Sequence, residues 1–143
     1  RGLGDVYKRQ EEMREIFPNI TEEILSVADG SAKKADSFIH ADTKVMNAFA
    51  KNVILSTGDA FLEGKEISYV NLIIYTEYTQ KILSDMILER SGGEPKLALS
   101  KYLNEHYDFS IDYLIEKSRR LDKTAKLYAG NYNKKLLLAN LLF

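Results

Sequence analysis

Apolar residues recur three or four positions apart through almost the whole chain, which is helical spacing, and no stretch alternates with a period of two. A first helix is expected after Thr21 or Asn19, either of which can cap it. Glu22 and Glu23 then fall in its first turn, where the positive end of the helix dipole favours acids. Gly30 ends it. Ser31 caps a second helix that is expected to reach about Ser56, with Ala35, Phe38, Val45, Phe49 and Val53 on one stripe. Gly58 breaks that helix, Asp59 caps a further turn over residues 60–63, and Gly64 stops the chain again.

Ser68 opens a third helix, to about Arg90. Its first half (Tyr69, Val70, Leu72, Ile73, Ile74, Tyr75) is apolar nearly all round, as in a helix central to a bundle. Gly92-Gly93 ends it. Pro95 suits the first position of a fourth helix, where its missing N–H would be unpaired anyway, and that helix reaches about Tyr107. Ser110 caps a fifth, to Tyr128, whose core stripe is Ile111, Leu114, Ile115, Ser118, Leu121, Ala125 and Tyr128. Gly130-Asn131 signals its end, and a sixth segment starts near Asn133. The final LLLANLLF reads either as a docked helix or as an element cut short. Long helices with short loops predict an all-α, antiparallel helical bundle of about five to six helices, four of them forming the core.

The chain has 143 residues, with 20 Lys+Arg against 21 Asp+Glu, and neither Cys nor Trp. That length buries a core without a metal or disulfide staple. The absence of Cys excludes a disulfide framework, a thiolate zinc site and a Cys nucleophile, and favours the cytoplasm. Balanced charge argues against a globally basic nucleic-acid binder, and no apolar run is long enough to span a membrane. Residues 1–10, RGLGDVYKRQ, resemble a peptide that recurs as translated sequencing adaptor at the ends of metagenomic reading frames. The resemblance implies a non-native leader and a missing native N-terminus, and the length leaves a single helical-bundle domain over 11–143, open to truncation at either end.

Candidate chemistry is sparse. No phosphate-binding loop, nucleophile elbow or zinc motif is present, so no catalytic residue, metal ligand or cofactor is expected. His40 falls on a polar face with Asp36 and Lys44, whereas His106 continues the apolar spacing of Leu99, Tyr102 and Leu103 and is expected to be partly buried. Asp42 falls in the middle of the second helix's apolar stripe. Three readings follow: a buried polar register device, a face open to a groove or partner, or a bend that lets the carboxylate reach water. From Ser110 onward bases outnumber acids, and Arg119, Arg120, Lys123 and Lys126 share the outer face of the fifth helix.

Residues 92–121 resemble flagellar export chaperones in Gly92-Gly93-Glu94, Tyr107-Asp108-Phe109, Leu114 and Glu116, which implies a bundle that binds a partner helix. The layout also resembles HEPN domains, but neither His has the preceding Arg of their nuclease motif. The expected function is a non-enzymatic, cytoplasmic protein-interaction or scaffold module, one option being a fragment of a longer protein. Its partner would be another protein or a second copy, anchored on Phe38, Asp42, Phe49, Tyr75 and Tyr78. The alternative is a nucleic-acid-associated domain gripping phosphates through Arg119, Arg120, Lys123 and Lys126 on helix 110–129.

Overall fold

The computed structural model describes residues 3–57 and 68–128. The turn expected at 58–64, the end signal at Gly130-Asn131, the segment from Asn133 and the apolar run 136–143 lie outside the described residues. Among the described residues the chain is all-helical, in two compact units, Arg1–Ala41 and Asp42–Phe143.

The first unit holds α1 (Leu3–Ile16), α2 (Glu22–Ala28) and α3 (Ala32–His40). α1 crosses the boundary expected at residue 10. Thr21 and Ser31 cap α2 and α3, each hydroxyl accepting the N–H three residues on, from Ile24 and Lys34, at 3.2 Å. Asp29 and Gly30 turn the chain between the two helices with φ of 52° and 76°. Met13, Leu25, Ala28 and Ala35 form the core here, with Phe17 and Ile20 packed against it.

The second helix expected from the sequence is in fact two. α3 ends at His40, Ala41 and Asp42 are extended, and α4 (Thr43–Leu55) starts afresh. Asp42 is therefore neither buried nor part of an apolar stripe. It is exposed, and its carboxylate accepts the N–H groups of Lys44 (3.1 Å) and Val45 (3.3 Å) as the N-cap of α4. The break falls at the boundary of the two units.

The second unit holds α4, α5 (Tyr69–Arg90), α6 (Ala98–His106) and α7 (Ile111–Tyr128). α5 is central: α4, α6 and α7 all pack on it, and Phe49, Ile54, Leu72, Ile82, Leu83, Met86, Leu103, Leu114 and Leu121 are buried. Val70, in its first turn, is exposed despite its apolar neighbours. α4 and α5 are antiparallel, Phe49 meeting Tyr75 and Asn47 meeting Tyr78. α6 departs from that pattern. Asp85 meets Ser100, and Arg90 meets Asn104 and Tyr107, so α6 runs in the same direction as the last turns of α5.

The intervening loop doubles back to allow this. Gly92 takes a φ of 100°, and a Cβ on Gly93 would lie 2.6 Å from Leu88 Cδ1. The buried carboxylate of Asp85 then accepts the N–H groups of Lys96 (2.9 and 3.0 Å) and Leu97 (2.9 Å) and the Ser100 hydroxyl. Leu97, at the N-cap of α6, has no side-chain oxygen to offer, and Asp85 on α5 takes up the N–H groups of the two residues that lead into that helix. This is why α6 starts at Ala98 and not at Pro95: the carboxylate binds the N–H groups of Lys96 and Leu97, and Leu97 is extended.

Removing Asp85 leaves buried N–H groups without acceptors. Asp85→Ala is expected to lower the unfolding free energy by roughly 3 kcal/mol. Asp42→Ala, which removes an exposed cap, should cost about 1 kcal/mol. Urea denaturation of both variants checks this; equal losses would contradict the remote-cap role.

Candidate functional site

Three features of the second unit converge around the exit of α6 and the start of α7. The first is a row of rings on the surface. Tyr102 (41 % exposed), Tyr107 (38 %), Ile111 (41 %) and Tyr113 (36 %) are four large apolar residues exposed within one stretch of twelve residues. The His106 ring stacks on Tyr102 at 4.0 Å, Tyr107 lies 5.7 Å from Phe109, and Phe109 stacks on Tyr113 at 5.4 Å. Lysines attend both ends, Lys51 Nζ lying 5.6 Å from the Tyr102 ring and Lys117 Nζ 5.9 Å from the Tyr113 ring.

The second is an open cleft of about 530 Å³ lined by Glu89, Arg90, Asn104, Glu105, His106, Tyr107 and Asp108. Arg90 is its hub. Its guanidinium donates to Asn104 Oδ1 (2.8 Å) and to the Tyr107 carbonyl (2.9 Å), and lies 3.8 Å from the Asp108 carboxylate. Asn104 in turn donates to the Met86 carbonyl and to Glu89. The guanidinium is thus occupied in holding the exit of α6, and the carboxylates of Glu89, Glu105 and Asp108 line the same cleft. The cleft is suited to a cation, not to a phosphate.

The third is a buried lysine. Lys117, 5 % exposed, donates to the Ser56 hydroxyl. Tyr113 OH donates to the Ile54 carbonyl at 2.6 Å and lies 3.3 Å from Ser56 Oγ. Ser56 is exposed and ends α4 in the left-handed region (φ 57°, ψ 44°), uncommon for a residue with a Cβ. Among the described ion pairs none involves Lys117. Burial, and secondarily the positive charge of Arg120, pushes its pKa below the usual lysine value.

The anchors expected from the sequence lie elsewhere. Phe38, in the first unit, is buried; Phe49, Tyr75 and Tyr78 are buried in the second. Phe49 and Tyr75 pack with ring centres 5.8 Å apart, and Tyr78 donates to Asn47. Burial, and then the negative charge of Asp42, raises the pKa of Tyr75. These rings are core, and with Asp42 at a helix start they do not form an open seam. Arg119, Arg120 and Lys123 are exposed on α7, as is Lys126, which pairs with Asp122 at 3.1 Å. His40 is exposed and its Nδ1 contacts the Asp36 carbonyl. His106, expected to be partly buried, is also exposed: its Nδ1–H reaches back to the Tyr102 carbonyl at 2.9 Å, which holds the ring along its own helix.

No family model, curated protein or solved structure matches this chain. Among the described residues no three His, Asp or Glu side chains converge to hold a metal ion, and no helix is long and apolar enough to cross a membrane. Sequence reasoning missed Ser56, Tyr113 and Lys117. A signal for Lys117 was present: it sits three residues after Leu114 and four before Leu121, within the apolar face. The buried stripe of α7 is Leu114, Lys117, Leu121 and Thr124, while Ile111, expected in the core, is exposed.

The folded state holds the Lys117 proton more weakly than the unfolded chain does. Stability therefore rises as pH climbs through the lowered pKa toward 10.5, the ordinary lysine value. The difference in unfolding free energy between wild type and Lys117→Met is expected to grow in favour of wild type over that interval. Denaturant titrations at a series of pH values test it; a flat difference would refute the perturbed lysine.

Proposed function

We propose that this chain is a protein-interaction module of the cytoplasm that docks a Lys- or Arg-bearing segment of a partner protein on the corner between α6 and α7. The observation that carries the reading is the exposed rings of Tyr102, His106, Tyr107 and Tyr113, with the half-buried Phe109 stacked among them, beside a cleft with three carboxylates. Rings offer faces to cations, and Glu89, Glu105 and Asp108 supply the opposite charge. A second copy fits less well, because pairing this corner with itself would set carboxylates against carboxylates. A fluorescein-labelled oligo-arginine peptide is expected to bind and to weaken with salt. Glu105→Lys with Asp108→Lys should reduce that affinity about ten-fold, a loss near 1.4 kcal/mol. Equal binding by the double variant in fluorescence polarisation would overturn the assignment.

A second reading draws on the exposure of Arg119, Arg120 and Lys123 along α7. It makes the basic face a phosphate-binding surface. It requires binding of a single-stranded oligonucleotide that weakens steeply with salt and is lost on Arg120→Glu with Lys123→Glu. Binding that ignores salt, or that survives the charge reversal, refutes it.

A further inference from the structure

We propose that Ser56 and Lys117 form a nucleophile–base pair that accepts an acyl group from activated aryl esters. The pair is assembled from distant parts of the chain: the end of α4 and the middle of α7. The Lys117 amine sits in direct hydrogen-bond contact with Ser56 Oγ, away from water, while Ser56 itself is exposed to an incoming ester. Tyr113 commits its hydroxyl hydrogen to the Ile54 carbonyl. The Ser56 hydroxyl hydrogen can then turn to the Lys117 nitrogen when that amine is neutral. No ion pair to Lys117 occurs among the described residues, and burial lowers its pKa, so the neutral amine is reached at lower pH than for a surface lysine. Tyr113 and Phe109, stacked beside the pair, offer a face to an aryl leaving group.

The step balances without a co-reactant other than water. Ser56 Oγ attacks the ester carbonyl carbon as its proton passes to the Lys117 amine. The bond from carbon to the aryl oxygen breaks, and the phenol leaves with the proton from Lys117. An acyl-Ser56 ester remains. Water then attacks that ester, giving its proton to Lys117, which returns it to Ser56 as the carboxylic acid departs.

The probe is p-nitrophenyl acetate with the full chain. Expected are a burst of nitrophenolate, one acetyl group mapped to Ser56 by mass spectrometry, and a burst rate that rises with pH to a plateau below the ordinary lysine range. Ser56→Gly, which suits the positive φ and keeps the fold, should abolish the burst. Lys117→Arg keeps a cation and a donor but cannot deprotonate; it should slow the burst roughly a hundred-fold while leaving helicity by circular dichroism unchanged. Acetyl groups on lysines alone, or bursts equal in wild type, Ser56→Gly and Lys117→Arg, would overturn the proposal.

Discussion

A helix start packed against another helix must find acceptors for its N–H groups, and the approach to α6, at Lys96 and Leu97, finds one in a carboxylate that belongs to α5. Asp85 receives the N–H groups of Lys96 and Leu97 and the Ser100 hydroxyl. That requirement sends the loop after Gly92-Gly93 back along α5 and sets α6 beside its last turns. Arg90 then closes the other end by gripping Asn104 and the Tyr107 carbonyl. Residues 107–113, which carry most of the surface rings, leave from this clamp. The aromatic corner and its acidic cleft therefore depend on one buried carboxylate some way behind them.

Among the described residues of the second unit, two buried charged side chains, Asp85 and Lys117, are met differently. Asp85 is surrounded by donors, so burial leaves its charge well met. Lys117 meets a hydroxyl and the face of Tyr113, and none of the described ion pairs includes it. Its position is favourable in one respect, beside the negative end of α4, where a cation is attracted to the last carbonyls. In the other respect burial works against the charge, and the lowered pKa records that balance. A satisfied buried group supports a fold; a group less well met is available for chemistry.

Local signals are legible where the partner is a few residues away. Thr21, Ser31, Ser68 and Ser110 cap the helices that follow them, as their hydroxyls and positions imply. Asp42 was harder, because a wheel drawn through an assumed continuous helix places it on the apolar stripe. The same carboxylate is equally a helix start, and only the break at Ala41 decides between the two. Pro95 misled for the opposite reason: its local preference for a first helical position yielded to the pull of Asp85 on residues 96–97.

Periodicity determined that the chain is helical and that residues 69–90 form the central helix, and capping residues marked the starts of four of the seven described helices. Those properties follow from contacts within one or two turns, and the chain encodes them locally. Tertiary structure decided that α6 runs along α5, that His106 and Ile111 face water, and that Ser56, Tyr113 and Lys117 meet. His106 turns its ring nitrogen to a carbonyl of its own helix and Lys117 sits within an apolar stripe, so part of this is local; the direction of α6 and the meeting of Ser56, Tyr113 and Lys117 depend on groups brought from distant segments. The aromatic corner shows the difference plainly: its residues are adjacent in sequence, yet apolar spacing counted some of them as core, and only the packing of α6 and α7 turned them outward.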